Sequence, residues 1–402
     1  MALPSEPPAH SAYDVVIIGG AIMGSSTAWW LSRNPDFQGR VLVVERDPTY
    51  EFAATSLTNS CIRQQFSSEI NVQISQFGAK FIHEFKDFMQ DPEAPEILLK
   101  SFGYLYLAGT DEMADTLIAS QKVQESLGSA TRILSPQDIA KEWPFYSTEG
   151  IILGSHNPVN EGYFDGGTVF HWFRKKAREQ GVEYIGNEVT GIDQAEGQVT
   201  AIHLKSGERI EAAKIVNSSG TRGPKMAAMI GADLPIEPRR RYTYIFTTEE
   251  PLGQDLPLTI DPSGCHMRWD GANFLAGCPP FEDPPMDVED FSYEEDDIWE
   301  EKLWPAVATR VPAFERVRVL NSWVGHYDYN MLDYNAIIGP HPDIPNFFFM
   351  NGYSGHGLQQ SPAMGRAMSE QLIYGEYRSI DLSPMGYERV MTKTPLVEKA
   401  VI

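Results

Sequence analysis

Residues 13–24, Tyr-Asp-Val-Val-Ile-Ile-Gly-Gly-Ala-Ile-Met-Gly, decide the fold of this 402-residue chain. The apolar run at residues 13–18 is typical of a strand that is buried on both faces, and glycines follow it at once. A helical stretch, residues 25–32, comes next, and a second apolar strand, residues 41–44, ends at Glu45. This order is the beginning of a β-α-β unit and predicts an α/β fold.

The glycines of this stretch form a GxGxxG frame in which Ala21 takes the second glycine position. Gly19 would permit the tight turn, and Gly24 would let the helix pack closely on the sheet. The helix N-terminus offers N–H groups and a partial positive charge to a pyrophosphate, and Ala21 is tolerated there if its φ is negative. Glu45 would accept hydrogen bonds from ribose hydroxyls. A bare glycine turn in another α/β protein is the alternative. The turn, with its neighbours Ile22, Met23 and Arg46, predicts a dinucleotide site but does not separate FAD from NAD.

Composition limits the partners and the location of the chain. The 55 Asp and Glu residues against 32 Lys and Arg give a net charge of −23, which argues against nucleic-acid binding and against binding to anionic lipid surfaces. Three cysteines form no disulfide framework, which fits a reducing compartment. No apolar run reaches the roughly 18–20 residues of a membrane span, and residues 1–13 lack the features of a signal peptide. We therefore expect a cytoplasmic protein without an integral membrane segment.

Periodicity predicts α/β structure at both ends of the chain and more antiparallel structure between them. A Pro-rich acidic stretch, residues 249–297, has loop composition with two short strands inside it. The other predicted elements are helices at 71–89 and 167–180 and strands at 182–186, 199–204, 209–216, 264–268, 273–277 and 347–350.

A second glycine-rich helix start, Ser354-Gly-His-Gly-Leu-Gln-Gln-Ser-Pro-Ala-Met-Gly365, decides the cofactor. Pro362 falls in the first turn, where a missing N–H costs least. Gly355 and Gly357 would permit the backbone to approach a flat ring, and the helix N-terminus would stabilise negative charge on a reduced flavin. The sequence therefore predicts FAD. A nicotinamide-dependent dehydrogenase is the weaker alternative, because it leaves this segment without a role.

Four segments resemble the D-amino-acid oxidase superfamily of flavoproteins, which includes glycine oxidase, sarcosine oxidase and dimethylglycine dehydrogenase. They are VVIIGGAIMGSSTAWWL, VVERD, SLTNSCIRQQFS and NGYSGHGLQQSPAMGRA, and the resemblance runs from Tyr13 to about Val390. It implies a Rossmann-like FAD-binding domain of the glutathione-reductase type with an inserted substrate domain on a mixed or antiparallel sheet. We assign the FAD-binding domain to residues 12–95, 150–232 and 325–390, the substrate domain to 96–149 and 233–324, and flexible tails to 1–11 and 391–402.

The resemblance also implies which residues serve the cofactor and the substrate. Cofactor contacts are expected at Gly19, Ala21, Ile22, Met23, Gly24, Glu45, Arg46, Ser56, Asn59, Ser60, Cys61, Val189, Ser219, Gly220, Gly355, His356, Gly357, Leu358 and Gln359. Catalytic or substrate contacts are expected at Arg63, Arg241, Tyr327, His356 and Gln359.

The implied activity is oxidation of the carbon–nitrogen bond of an amino-acid-like amine by hydride transfer to flavin N5. A substrate carboxylate would favour an arginine, for which Arg63 is the first candidate and Arg241 the second. For either arginine a structural salt bridge is the alternative. His356 is expected to hydrogen-bond the flavin or backbone rather than act as a base. Tyr327 and Tyr329 would close the pocket, or serve only in packing.

Departures from the family pattern leave the substrate and the acceptor open. The segment Trp323-Val-Gly-His-Tyr-Asp-Tyr lacks the arginine that glycine-oxidase-type members carry there. His326 stands where sarcosine-oxidase-like members attach FAD through a cysteine, which favours noncovalent FAD, and Cys61 is expected to be an inert thiol. Arg268 aligns with the lysine that those oxidases use to activate oxygen. The acceptor is therefore oxygen, a quinone or an electron-transfer protein. The second hypothesis is a flavoprotein that acts as an assembly or scaffold factor for a respiratory complex.

Overall fold

The computed structural model describes residues 7–292 and 297–400. The strands are β1 Ala12–Ile18, β2 Val41–Glu45, β3 Cys61–Ile62, β4 Tyr104–Ala108, β5 Arg132–Leu134, β6 Leu153–Asn157, β7 Gly162–Tyr163, β8 Glu183–Gly186, β9 Val189–Ala195, β10 Gln198–Leu204, β11 Arg209–Asn217, β12 Ile236–Thr248, β13 Leu258–Ile260, β14 His266–Asp270, β15 Asn273–Cys278, β16 Val317–Asn330, β17 Ile337–His341 and β18 Ile344–Asn351. The helices are α1 Ile22–Ser32, α2 Glu69–His83, α3 Phe85–Met89, α4 Asp111–Ser126, α5 Pro136–Glu142, α6 Gly166–Glu179, α7 Gly223–Ala228, α8 Trp304–Arg310, α9 Gly357–Tyr374 and α10 Glu388–Thr392.

The first sheet has the strand order β17-β18-β11-β1-β2-β8, with β10 and β9 added beside β11. The pairs β18–β11, β11–β1, β1–β2 and β2–β8 are parallel, so these strands end at one edge of the sheet. Residues Val15 to Ile18 are buried on both faces, as the continuous apolar run predicted. The predicted β-α-β beginning is confirmed, and in open α/β sheets this edge is where ligands bind.

Helices α1 and α9 lie against each other on one face of this sheet. The hydroxyl of Ser26 donates to the carbonyl of Ser361 at 2.7 Å. A Cβ added at Gly365 would lie 2.1 Å from Ser26 Oγ, so only glycine fits at this crossing. The two helices belong to one hydrophobic core with α2 and α6. Both glycine-rich helix starts are thereby fixed on the same side of the sheet.

The second sheet is mostly antiparallel and has the order β16-β12-β15-β14-β13-β4-β6-β5, with one parallel pair, β4–β13. Its core includes Tyr242, Phe246 and Phe314. The predicted α/β fold class, with a mixed or antiparallel second sheet, is confirmed. The sheet includes β6, which pairs with β4 and β5 and lies beyond the domain boundary assigned at residue 150. Similarly, β16 crosses the boundary assigned at residue 325 because it pairs with β12 over its whole length.

The C-terminal segment, residues 394–400, packs against the first domain, whereas we had assigned residues 391–402 to a flexible tail. Glu398 is fully buried and accepts hydrogen bonds from Ser67 N and Oγ, Ser68 Oγ and Asn71 Nδ2 at 2.6–3.0 Å. No local pattern in the sequence indicates that Glu398 is bound in this way. Residues 1–6 and 401–402 of the assigned tails, and residues 293–296 of the acidic stretch, lie outside the described residues.

No helix in residues 7–292 and 297–400 is both long enough and apolar enough to cross a bilayer.

Candidate active site

A deep cleft lies at the edge where β1, β2, β11 and β18 end, and one face of the second sheet closes it from the other side. Most of the residues predicted to contact the cofactor or the substrate line it: Gly19, Ala21, Ile22, Met23, Glu45, Arg46, Asn59, Ser60, Cys61, Arg63, Val189, Ser219, Gly220, Arg241, Tyr327, Gly355, His356, Gly357, Leu358 and Gln359. Two predicted cofactor residues do not. Gly24 lies behind the turn, and Ser56 is exposed outside the cleft wall.

The turn between β1 and α1 has the backbone that a phosphate cradle requires. Gly19 has φ +99°, in the region that favours glycine. Ala21 has φ −66°, so its methyl group causes no strain, as predicted. A Cβ on Gly24 would lie 1.9 Å from the carbonyl oxygen of Gly19. Gly24 therefore sets how closely α1 approaches the turn, although it does not face the cleft.

Glu45 fixes the turn as well as facing the cleft. Its carboxylate accepts hydrogen bonds from the amides of Gly20 and Asp47, each at 2.8 Å. Burial raises the pKa of Glu45, and these two amide hydrogen bonds act in the opposite direction. Each carboxylate oxygen has a second lone pair, which leaves acceptor capacity for ribose hydroxyls.

The next turn along the edge follows β11. Asn217 holds it, because its Oδ1 accepts from Ser219 Oγ at 2.7 Å and its Nδ2 donates to the carbonyl of Gly223 at 3.0 Å. Gly220 has φ +55°. Val189, which is one of the expected cofactor contacts, is buried at the start of β9. These residues place backbone groups rather than charges along the cleft.

The opposite end of the cleft lies at the start of α9. Gly355 has φ +90°, and a Cβ there would lie 2.4 Å from the ring of Tyr327. Asp328 accepts from the amides of Gly352 at 2.9 Å and Tyr353 at 3.2 Å. Burial raises the pKa of Asp328 to about 6. The glycine-rich loop before α9 is thus held flat against β16.

Arg63 is buried, and its two terminal nitrogens form three hydrogen bonds within the chain. It donates to the carbonyls of Gln65 and Ala400 and, at 2.8 Å, to His356 Nε2. Its guanidinium carbon lies 3.9 Å from the centre of the Phe66 ring. A guanidinium can only donate, so His356 Nε2 must accept and the neutral ring carries its proton on Nδ1. Burial, followed by the charge of Arg63, holds the pKa of His356 well below its usual value.

Gln359 links α9 to the residue that follows β3, because its Oε1 accepts a hydrogen bond from the backbone amide of Arg63 at 2.8 Å. His356 is therefore a neutral group at the cleft wall. Its one remaining ring proton is available as a hydrogen-bond donor, whereas the nitrogen that could act as a base is occupied.

Arg241 enters the cleft from β12 in the second sheet. Its Nη1 donates to Asp283 Oδ1 at 2.9 Å, and its guanidinium carbon lies 5.0 Å from the Tyr327 ring and 5.5 Å from the Tyr329 ring. Its Nε is buried and has no hydrogen-bond partner among the described residues. Of the two candidate arginines, Arg241 is the one whose Nε is buried without a partner in the described ranges.

His266 lies in the same part of the cleft and was missed by sequence reading. Asn59 Nδ2 lies 3.0 Å from His266 Nε2, while Asn59 Oδ1 and His266 Nδ1 are buried without a partner in the part of the chain that the structure describes. Burial, then the charges of Arg268 and Arg241, lowers the pKa of His266 to about 4. A single histidine at the start of a short strand carries no local signal, so only the pairing of the strands reveals it.

Three residues that bear on flavin attachment and on the electron acceptor, His326, Cys61 and Arg268, are also near the cleft. His326 is buried and its ring stacks on Phe291 at 4.2 Å. Burial raises the pKa of the Cys61 thiol, so it remains protonated and is a poor nucleophile. Arg268 forms an ion pair with Asp270 at 2.8 Å and also donates to the carbonyl of Asn59.

These features fit a stretched dinucleotide with a flavin at the α9 end. The glycine turn and Glu45 lie at one end of the cleft, and the loop around Gly355 lies at the other. The buried polar atoms of Asn59 and Arg241, which have no partner among the described residues, indicate a bound polar molecule. Within the described ranges, no three metal-ligating side chains are grouped to hold a metal ion.

Comparison with known proteins agrees with this geometry. Residues 14–371 match the family model described as FAD dependent oxidoreductase. The chain is 36% identical to FAD-dependent oxidoreductase domain-containing protein 1 of Xenopus laevis, over 97% of this chain and 85% of that protein. It is 38% identical to the protein of the same name from Bos taurus, over 95% and 85%. Among solved structures, L-proline dehydrogenase from P. horikoshii aligns with a TM-score of 0.82 at 23% identity, over 95% of this chain and 98% of that one.

Proposed function

Because the chain belongs to the FAD-dependent oxidoreductase family, we propose that it removes a hydride from the carbon beside the nitrogen of an amino-acid-like amine. We take a D-amino acid or an N-substituted or secondary amine as the substrate class. The observation that carries the proposal is the position of Arg241 and Tyr327, which face the glycine-rich start of α9 across the cleft.

Residues of the chain would hold FAD along the cleft as follows. The turn at Gly19 and the N-terminus of α1 receive the pyrophosphate, and Glu45 receives the ribose hydroxyls. The backbone around Gly355 and the N-terminus of α9 receive the flavin. When bound, FAD supplies the hydride acceptor. Noncovalent attachment is part of the proposal, since Cys61 is a protonated thiol and histidine occupies position 326.

The protein must orient the amine and exclude water, because hydride transfer requires little else from side chains. Tyr327 packs on Gly355 and forms a wall of the pocket. We propose Arg241 as the partner of the substrate carboxylate, in place of Arg63, which was the first expectation. Arg63 donates to Gln65, His356 and Ala400, whereas Arg241 keeps an unpaired buried Nε. His356 is assigned as a hydrogen-bond donor to the flavin edge.

The test is anaerobic mixing of the purified protein with a panel of secondary and D-amino acids while flavin absorbance is followed. We expect at least one amine to bleach the flavin. Acid precipitation of the same sample should release FAD into the supernatant, and flavin left in the pellet would contradict noncovalent attachment. Reoxidation by oxygen, compared with reoxidation by a quinone analogue, then identifies the class of acceptor.

A second candidate function is a weakly catalytic flavoprotein that acts as an assembly factor for a respiratory complex. It is favoured by the absence of the arginine that the family resemblance implies after Trp323. Residues 324–329 contain no arginine. A yellow protein whose flavin no amine bleaches, and which co-purifies with a larger complex, would favour this candidate.

We also propose a cytoplasmic location. The cysteines at 61, 265 and 278 are free thiols in the structure, as in a reducing compartment. Cell fractionation with an antibody to the native protein tests this, and recovery in an organelle fraction would refute it.

A further inference from the structure

Several buried polar atoms of cleft-lining side chains have no partner in residues 7–292 and 297–400. Three of them belong to neighbouring side chains: the acceptor Asn59 Oδ1 and the donors His266 Nδ1 and Arg241 Nε. A buried polar group without a partner costs free energy, so native proteins rarely leave several together. A ligand that supplied one acceptor and one donor would remove most of that cost. The group therefore points to a polar ligand rather than to a structural role.

Strand pairing puts Arg241 and His266 on the same face of the second sheet. Thr243 of β12 and His266 of β14 both pair with Gly277 of β15, so these three residues form one row across the sheet. Arg241 lies two residues before Thr243 and therefore points to the same side. Arg241, Thr243 and His266 all line the cleft, which confirms that this is the face toward the cofactor.

The position of His266 depends on the glycine beside it. A Cβ on Gly277 would lie 2.7 Å from His266 Cε1 and 2.8 Å from His266 Nε2. The imidazole therefore lies over the backbone of β15 and reaches Asn59 on the loop from the first domain. Because Asn59 Nδ2 donates to His266 Nε2, the amide of Asn59 is oriented with Oδ1 free.

We propose that Arg241 and Asn59 together recognise an α-amino or α-imino acid: Arg241 binds the carboxylate and Asn59 Oδ1 accepts the N–H of the amine. His266 is a positioning residue that holds the Asn59 amide in this orientation. The inference rests on the proposed function and deepens it, since it assigns the two ends of the substrate to particular atoms.

Charge supports the same assignment. The neutral amide of Asn59 accepts a hydrogen bond from a neutral amine, and the positive charges of Arg241 and Arg268 disfavour an ammonium group nearby. Hydride loss from the adjacent carbon requires the neutral amine. Asp283 lies behind Arg241 and outside the cleft lining, so its ion pair anchors the guanidinium without occupying the pocket.

The test uses anthranilate, benzoate and aniline as probes of the FAD-loaded protein, with dissociation constants read from the change in flavin absorbance. Anthranilate carries a carboxylate and a neighbouring amine, whereas each of the other two carries one of these groups. In Asn59→Leu, anthranilate should bind about tenfold or more weakly, while benzoate stays within about threefold of its parental value. In Arg241→Ala, anthranilate and benzoate should both weaken by about tenfold or more.

His266→Phe should reproduce the Asn59→Leu pattern, because the amide loses the acceptor that orients it. His266→Gln should recover most of the anthranilate affinity, since a glutamine oxygen can accept from Asn59 Nδ2. A residue needed only for packing would not show this recovery. The matched control is Asn321→Leu, an exposed position on β16, which should leave every probe unchanged.

Three results would overturn the inference. All three concern Asn59→Leu: parental anthranilate affinity, equal losses of anthranilate and benzoate affinity, and loss of FAD, which would mean that Asn59 serves the cofactor. Each leaves the proposed function intact if amines still bleach the parental flavin. Failure of every amine to bleach that flavin refutes the proposed function instead, and it is measured separately.

Discussion

Replacing Gly24 with alanine tests whether the close approach of α1 to its turn is what allows FAD to bind. The added Cβ would lie 1.9 Å from Gly19 O, against the 3.0 Å that real Cβ atoms keep, so the helix and the turn must separate by about 1.1 Å (3.0 − 1.9). Overpacking of this kind costs roughly 1–3 kcal/mol. The separation also moves the amides that face the pyrophosphate. We expect the dissociation constant for FAD to rise about 10- to 100-fold, which corresponds to roughly 1.4–2.8 kcal/mol.

The assay is titration of the apoprotein with FAD, followed by flavin fluorescence, together with thermal unfolding of the apoprotein. Gly167→Ala is the matched control, because its added Cβ, near the start of α6, meets no atom closer than 3.4 Å. This control should bind FAD like the parent. If Gly24→Ala also binds FAD within about threefold of the parent, the turn does not need the observed approach and our account of the ADP half is wrong.

Three further variants test other parts of the structure. Glu45→Gln should weaken FAD binding by about 1–2 kcal/mol, because the side-chain amide cannot accept from both Gly20 N and Asp47 N and is a poorer acceptor for ribose; unchanged retention on gel filtration would exclude a ribose contact. Burial raises the pKa of Glu161 to about 7, above the ordinary 4.5, so the folded state binds the extra proton and stability should fall as pH rises from about 4.5 to 7. Glu161→Gln should remove this loss of roughly 1–3 kcal/mol in the free energy of unfolding, as measured by denaturant titrations across the same pH range. If the variant loses as much stability as the parent over that range, the assignment to Glu161 is wrong. Glu398→Gln should lower the free energy of unfolding by roughly 1.5–3 kcal/mol, since its buried carboxylate accepts from Ser67 and Asn71; a loss below the error of the denaturation curve would show that the C-terminal segment is not anchored there.

The sequence alone predicted the β-α-β turn that lines one end of the cleft, because the signals of that turn are local. Gly19, Ala21, Gly24 and Glu45 lie within one β-α-β unit, and each has a fixed geometric role there. The start of α9 was predicted for the same reason: Gly355 marks a backbone that no other residue would adopt at low cost.

The part of the cleft that the second sheet closes could not be predicted, because it depends on pairing between distant strands. Whether Arg241 and His266 share a face depends on the register of β12, β15 and β14, which no single strand specifies. The hydrogen bonds of Arg63 could not be predicted either, since one of its partners, Ala400, lies at the far end of the chain. Local periodicity reports burial, but it does not report which buried groups meet.

The contact between α1 and α9 has a consequence for the order of events during synthesis. The two helices are separated by 324 residues (357 − 32 − 1), so α1 is made long before its partner. At 5–20 residues per second, the ribosome needs roughly 16–65 s to make the intervening chain. During that interval the apolar face of α1 lacks α9, and the cleft lacks its flavin end. The nascent chain must therefore be protected from aggregation, and FAD can be captured only after residues 350–374 have emerged, which makes cofactor loading a late step of folding.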